Sequence, residues 1–155
     1  MPYKPGTIDR ESTPEWHHRM IWPGAACSLV NLANAFIGSD GILFAWAMGG
    51  AIGGIVAGGF GYRADDYFRA LADVGLRWAG AFVGAYLMVA WTLDTLDIAY
   101  SAGYSGAQGL ANAPQDRTAA FLTDARTLAA LTVAVFYAGY AFAWLRDHWG
   151  AEAAE

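Results

Sequence analysis

Few residues in this chain of 155 are of types that could do chemistry, and they are scattered. His17, His18 and His148 are its three imidazoles. Neighbouring histidines point apart on a helix, and all three fall at or beyond the ends of apolar stretches. They read as interfacial or solvated side chains, with a shared metal site as the weaker alternative. A b-type haem would need axial imidazoles within the apolar stretches, where the sequence has none. Asp94, Asp97, Asp116 and Asp124 collect late in the chain. Asp94 and Asp97 share a face only if a helix continues that far, and a solvated acidic rim is commoner than a cation site. Nucleophile, zinc-protease and phosphate-loop motifs are absent. The expectation is a chain without a catalytic set, to which no metal or cofactor can be assigned.

A second set of polar groups lies inside apolar sequence. Asn31 and Asn34 are three apart, and Tyr137, Tyr140 and Trp144 form a stripe at helical spacing. Buried amides and phenols need hydrogen-bond partners. Counting rise along each stretch puts Asn31 and Tyr137 at similar depths, so a hydrogen bond between them is expected. Asn31, Asn34, Tyr137 and Tyr140 are the candidate intramembrane polar site. They serve either as interhelical glue or as contacts for a polar ligand, quinone or pigment.

The elements that must position these residues are membrane spans. Composition is 56 % hydrophobic and 15 % charged, where a soluble domain carries about a quarter charged residues. Net charge is −5, which gives nucleic acid no basic footprint to bind. A lone cysteine, Cys27, excludes an intrachain disulfide. Four apolar stretches stand out, near residues 20–38, 42–62, 78–94 and 128–145. They predict an all-α integral membrane protein with four transmembrane helices, formed by residues 20–146. A polar N-terminal segment, 1–19, and a short C-terminal tail, 147–155, flank it. Pro23 is expected in the first turn of the first span, where a missing N–H is cheap. The Gly38–Gly41 turn makes the first two spans an antiparallel hairpin. Residues 61–77 read either as a short amphipathic helix lying in the interface or as a solvated loop. A polar connection is expected from Thr95 to Thr127, with a helical lead-in over Thr118–Arg126. Ala33-Asn34-Ala35 mimics a signal cleavage site, but Pro23 and Asn31 interrupt the run before it.

Seven of the nine basic residues fall on one side of such a bundle, only Arg117 and Arg126 on the other. The positive-inside rule then places both termini in the cytoplasm, in a multi-pass protein of a bacterial cytoplasmic membrane. No charged residue is expected deep in any span, which disfavours a proton relay or ion-coupled pump.

The second stretch carries the clearest pattern. Ala47, Gly50, Ala51, Gly54, Ala57, Gly58 and Gly61 fall on one arc of a helix, with bulky residues on the rest. A face nearly without side chains lets another helix backbone approach closely. Gly80 and Gly84 offer a matching surface on the third span. These residues predict a non-catalytic integral subunit that assembles with, or positions, a larger membrane complex. The alternative is a small oligomeric transporter or channel with Asn31, Asn34 and Tyr137 along its path. A membrane enzyme or cofactor binder using the histidines is the weakest reading. Expected partners are lipid, other integral membrane subunits or further copies of the chain.

Overall fold

A computed structural model describes residues 13–38, 41–60, 66–108 and 124–152. Among them the protein is all-helical, with α1 Thr13–Ile37, α2 Ile42–Phe60, α3 Asp66–Gln108 and α4 Ala125–Glu152. Three stretches, Arg19–Ile37, Asp66–Gly103 and Ala125–Trp149, are long and apolar enough to cross a bilayer. The apolar stretch of α2, Ile42–Ala57, is shorter. A backbone surrounded by hydrocarbon must satisfy its own hydrogen bonds, and helix does so within one segment even where glycine is frequent.

α1 ends at Gly38, whose φ of 69° is the left-handed conformation glycine adopts without strain. Its N–H donates to the Asn34 carbonyl at 2.8 Å, closing the helix terminus. Gly41 then opens α2, its carbonyl accepting from Phe44 N–H at 3.0 Å. The tight turn makes α1 and α2 one packed pair; α3 and α4 form the second. The pairs meet mainly between α1 and α4, with narrower contacts from α2 to α3 and α4. Ile21, Ala51, Phe68, Leu71, Phe136 and Tyr140 fill the core where the helices converge.

The structure alters several expected boundaries. α1 begins at Thr13, so Pro23 lies in its interior and not in its first turn. The larger change is in α3. Residues 66–77 are neither a separate interfacial helix nor a loop, because they are the first turns of one 43-residue helix. That helix also runs through the expected third span and on to Gln108, about 65 Å in all at 1.5 Å per residue. The polar connection therefore starts no earlier than residue 109. Most of it, with Thr118–Thr123 of the expected lead-in, lies outside the described residues.

Packing also sets an unexpected register. α3 meets α4 through Phe68, Leu71, Ala72, Gly75 and Ala79, all buried. A Cβ on Gly75 would lie 2.7 Å from the Phe136 carbonyl oxygen, and one on Gly139 would lie 3.1 Å from Gly75 Cα. The two backbones touch there. Trp78 stacks on Phe142 at 5.4 Å, and Phe68 meets Tyr140 edge-on at 5.9 Å. Phe68 pairs with Tyr140 and Gly75 with Phe136, so the two helices run antiparallel and α4, which starts at Ala125, begins near the level of Tyr86. Residues 87–108 rise about 33 Å beyond it. Leu87, Met88, Val89, Trp91, Leu96 and Ile98 there are all more than half exposed.

Candidate functional site

The small-residue arc of α2 positions the centre of the bundle. Ala47 and Ala51 are buried, and Gly54 with them. Gly24 of α1 faces Gly54, its Cα lying 3.7 Å from where a Gly54 Cβ would stand. Into the space left by these two missing side chains comes the phenol of Tyr137 from α4. Its hydroxyl donates to the Ala51 carbonyl at 2.7 Å, satisfying a polar group that is 5 % exposed. A methyl on either glycine would overlap Tyr137 Oη. Tyr140, one turn on, is 2 % exposed and packs edge-on against Trp22 and Phe68.

Gly50 is an exposed position where a Cβ would meet Cys27 Sγ at 3.0 Å, and Ala57 is half-buried. Gly58 lies within α2, but its surroundings, like Gly61, fall outside the described residues. Gly80 and Gly84 depart from expectation. A Cβ on either would meet nothing within 4 Å, because they lie on the side of α3 opposite Gly75 and Ala79.

The expected hydrogen bond between Asn31 and Tyr137 is not formed. Trp22 packs edge-on against both Tyr140 and Trp144, which aligns Gly24 with Tyr137. Asn31 is seven residues farther along α1, about 10 Å on. It donates instead to the Cys27 carbonyl one turn back, at 3.0 Å. Asn31 and Asn34 both line a cavity of about 560 Å³ between the α1–α2 turn and the start of α4. Tyr137 and Tyr140 do not line it, so the four candidate polar residues divide between a packed core and an open pocket.

Sequence reasoning missed two members of that pocket. Arg126 and Asp124 enter it because α4 begins at its rim. Asp124 precedes α4, and its Oδ2 accepts from Thr127 N–H at 3.2 Å and from Thr127 Oγ at 3.3 Å. An Asp three residues before a Thr was the available signal for this cap. His148 stays on α4, its Nδ1 2.8 Å from the Trp144 carbonyl oxygen. The side chains of His17 and His18 lie outside the described residues. Among those described, no three of His, Cys, Asp and Glu gather as a metal site would require. No family model matches the chain, and no curated protein or solved structure is similar to it.

Proposed function

We propose that this protein is a non-catalytic integral membrane subunit that docks a helix of another membrane protein on the outer face of α3. One observation carries the reading. Asp66, Arg69, Asp73, Arg77, Gly80 and Gly84 recur at helical spacing on the side of α3 turned away from α4, all exposed. Asp66 and Arg69 lie 4.0 Å apart, whereas Asp73 and Arg77 have no ion-pair partner among the described residues. Alternating charges that run into a glycine notch provide both a polar match and a point of close approach for a helix. The packed position of Tyr137 disfavours a solute path past it. Termini in the cytoplasm of a bacterial inner membrane are part of this proposal, resting on the distribution of basic residues.

The test is affinity purification in mild detergent, comparing the wild-type chain with Gly80→Leu/Gly84→Leu and with Arg77→Glu. These positions face away from the bundle, so the variants should fold and elute as wild type while losing a stoichiometric membrane partner. A chain that purifies alone, or as a homogeneous homo-oligomer, would sink the proposal.

A further inference from the structure

The cavity at the turn end of the bundle has the donor and acceptor pattern of a binding site. Its volume, about 560 Å³, is in the range of small-ligand pockets, roughly 300–1,000 Å³. Ile42, Phe44 and Met48 of α2 and Ala130 of α4 give it an apolar side. Asn31, Asn34, Asp124 and Arg126 give it a polar one.

The state of Asn31 indicates what is missing. The residue is 4 % exposed, and its amide N–H is used on the Cys27 carbonyl. Its Oδ1 accepts from no described residue. Yet among the described residues no sealed side-chain oxygen is left without a partner, so Oδ1 keeps some exposure, and the opening beside Asn31 is this cavity. Asp124 adds a second acceptor there, since its Oδ2 takes both bonds from Thr127 and Oδ1 takes none from the described residues. Two acceptors, one of them charged, select a ligand group rich in N–H donors. Arg126 of the lining has a contact of its own, and its five N–H donors let it take a phosphate or carboxylate as well.

We propose that this cavity binds a zwitterionic head in which a primary ammonium lies close to an anionic group. The ammonium donates to Asn31 Oδ1 and Asp124, and the anion meets Arg126. The apolar side accepts an attached hydrocarbon chain. Two sources carry this chemistry, an ethanolamine phospholipid and a free amino acid. Choline phospholipid has the same charges but no N–H donor, so it separates hydrogen bonding from charge.

The full chain is reconstituted in nanodiscs holding equal amounts of dioleoyl phosphatidylethanolamine and dioleoyl phosphatidylcholine, and retained lipid is counted by native mass spectrometry. Titration with glycine tests the soluble source. Retention of ethanolamine lipid at least fivefold above choline lipid is expected, and its loss in both Asn31→Leu and Arg126→Gln. Glycine binding that both variants abolish would equally support the head chemistry and place its source in solution. Arg126 is exposed, so its variant tests the site even if Asn31→Leu fails to fold. Equal retention of the two lipids without glycine binding, or an Arg126→Gln chain that binds like wild type, would overturn the proposal.

Discussion

Gly54 and Tyr137 are coupled through a single oxygen atom, and that coupling is measurable. Gly54→Ala puts a methyl group into the Tyr137 hydroxyl, which is itself held by its bond to Ala51. Forcing volume into a packed core costs about 1–3 kcal/mol. Tyr137→Phe alone loses one neutral hydrogen bond, about 0.5–1.5 kcal/mol net. With the hydroxyl gone, the Gly54 methyl has Tyr137 Cζ as its nearest neighbour on α4, at an ordinary 3.4 Å. In that background Gly54→Ala should be neutral, or stabilising by up to about 1 kcal/mol through helix propensity. The double variant should therefore be more stable than the sum of the singles by about 1–3 kcal/mol. Gly24→Ala is the control. Its methyl would also stand 2.9 Å from Cζ, which phenylalanine keeps, so Tyr137→Phe should rescue it only in part. Reversible unfolding in mixed micelles, followed by far-ultraviolet circular dichroism, gives the four free energies. Additive effects of Gly54→Ala and Tyr137→Phe would refute the geometry.

Gly75→Ala should destabilise more than Gly54→Ala, because its methyl meets the Phe136 backbone carbonyl at 2.7 Å and no rotamer change relieves that. Gly80→Ala and Gly84→Ala, facing open space, should leave the unfolding midpoint within about 0.5 kcal/mol of wild type, measured the same way. Asp124→Ala removes the cap of α4 and should cost about 0.5–2 kcal/mol, read as a lower midpoint and faster amide exchange in the first turn after residue 124. Trp22→Ala loses two edge-on ring contacts, to Tyr140 and Trp144. Each is worth about 0.5–1.5 kcal/mol beyond its area, so it should be the most damaging substitution at a partly exposed site of α1.

The α2 arc was legible because side-chain size is a local property. Ala47, Ala51 and Gly54 needed only the helical period to be placed together, and they are buried. Gly24 was not legible as the counterpart of Gly54, since nothing local distinguishes it from other glycines near a proline. The relation between helices was harder still. Counting depth from the start of each apolar run aligned Asn31 with Tyr137, but the alignment of α1 and α4 is set by Trp22 lying against Tyr140 and Trp144. Hydropathy selected 78–94 as the third span, whereas α4 uses 68–79. Close approach at Gly75 and Gly139 decides that contact, and a hydropathy average carries no information on which turn holds the usable notch. The cavity depends on where α4 starts, and a helical lead-in expected anywhere over Thr118–Arg126 did not fix that point.

The register of α3 gives its outer face an energetic consequence. Phe68–Ala79 lies alongside Val133–Ala143, the apolar middle of α4, so Asp73 and Arg77 stand at that depth, where the sequence had suggested no charge. A charged side chain at mid-bilayer on a helix costs about 2.5–3.5 kcal/mol, so two of them facing lipid would cost about 5–7 kcal/mol. Snorkelling lowers the figure for Arg77, whose stem is long, far more than for Asp73. The alternative register, with 78–94 beside α4, would remove the charges from that depth but would forfeit the Gly75–Gly139 contact and the burial of Phe68 and Leu71. Burying those two side chains alone is worth about 3–6 kcal/mol. Each register thus carries a cost in an isolated chain. A partner helix that pairs with Asp73 and Arg77 would tip the balance toward the packed one, and the docking proposal and the fold then rest on the same two residues. Arg77→Leu in the isolated chain should accordingly stabilise it in micelles while weakening capture of the partner; a variant that loses both stability and partner would mean that Arg77 belongs to the fold itself.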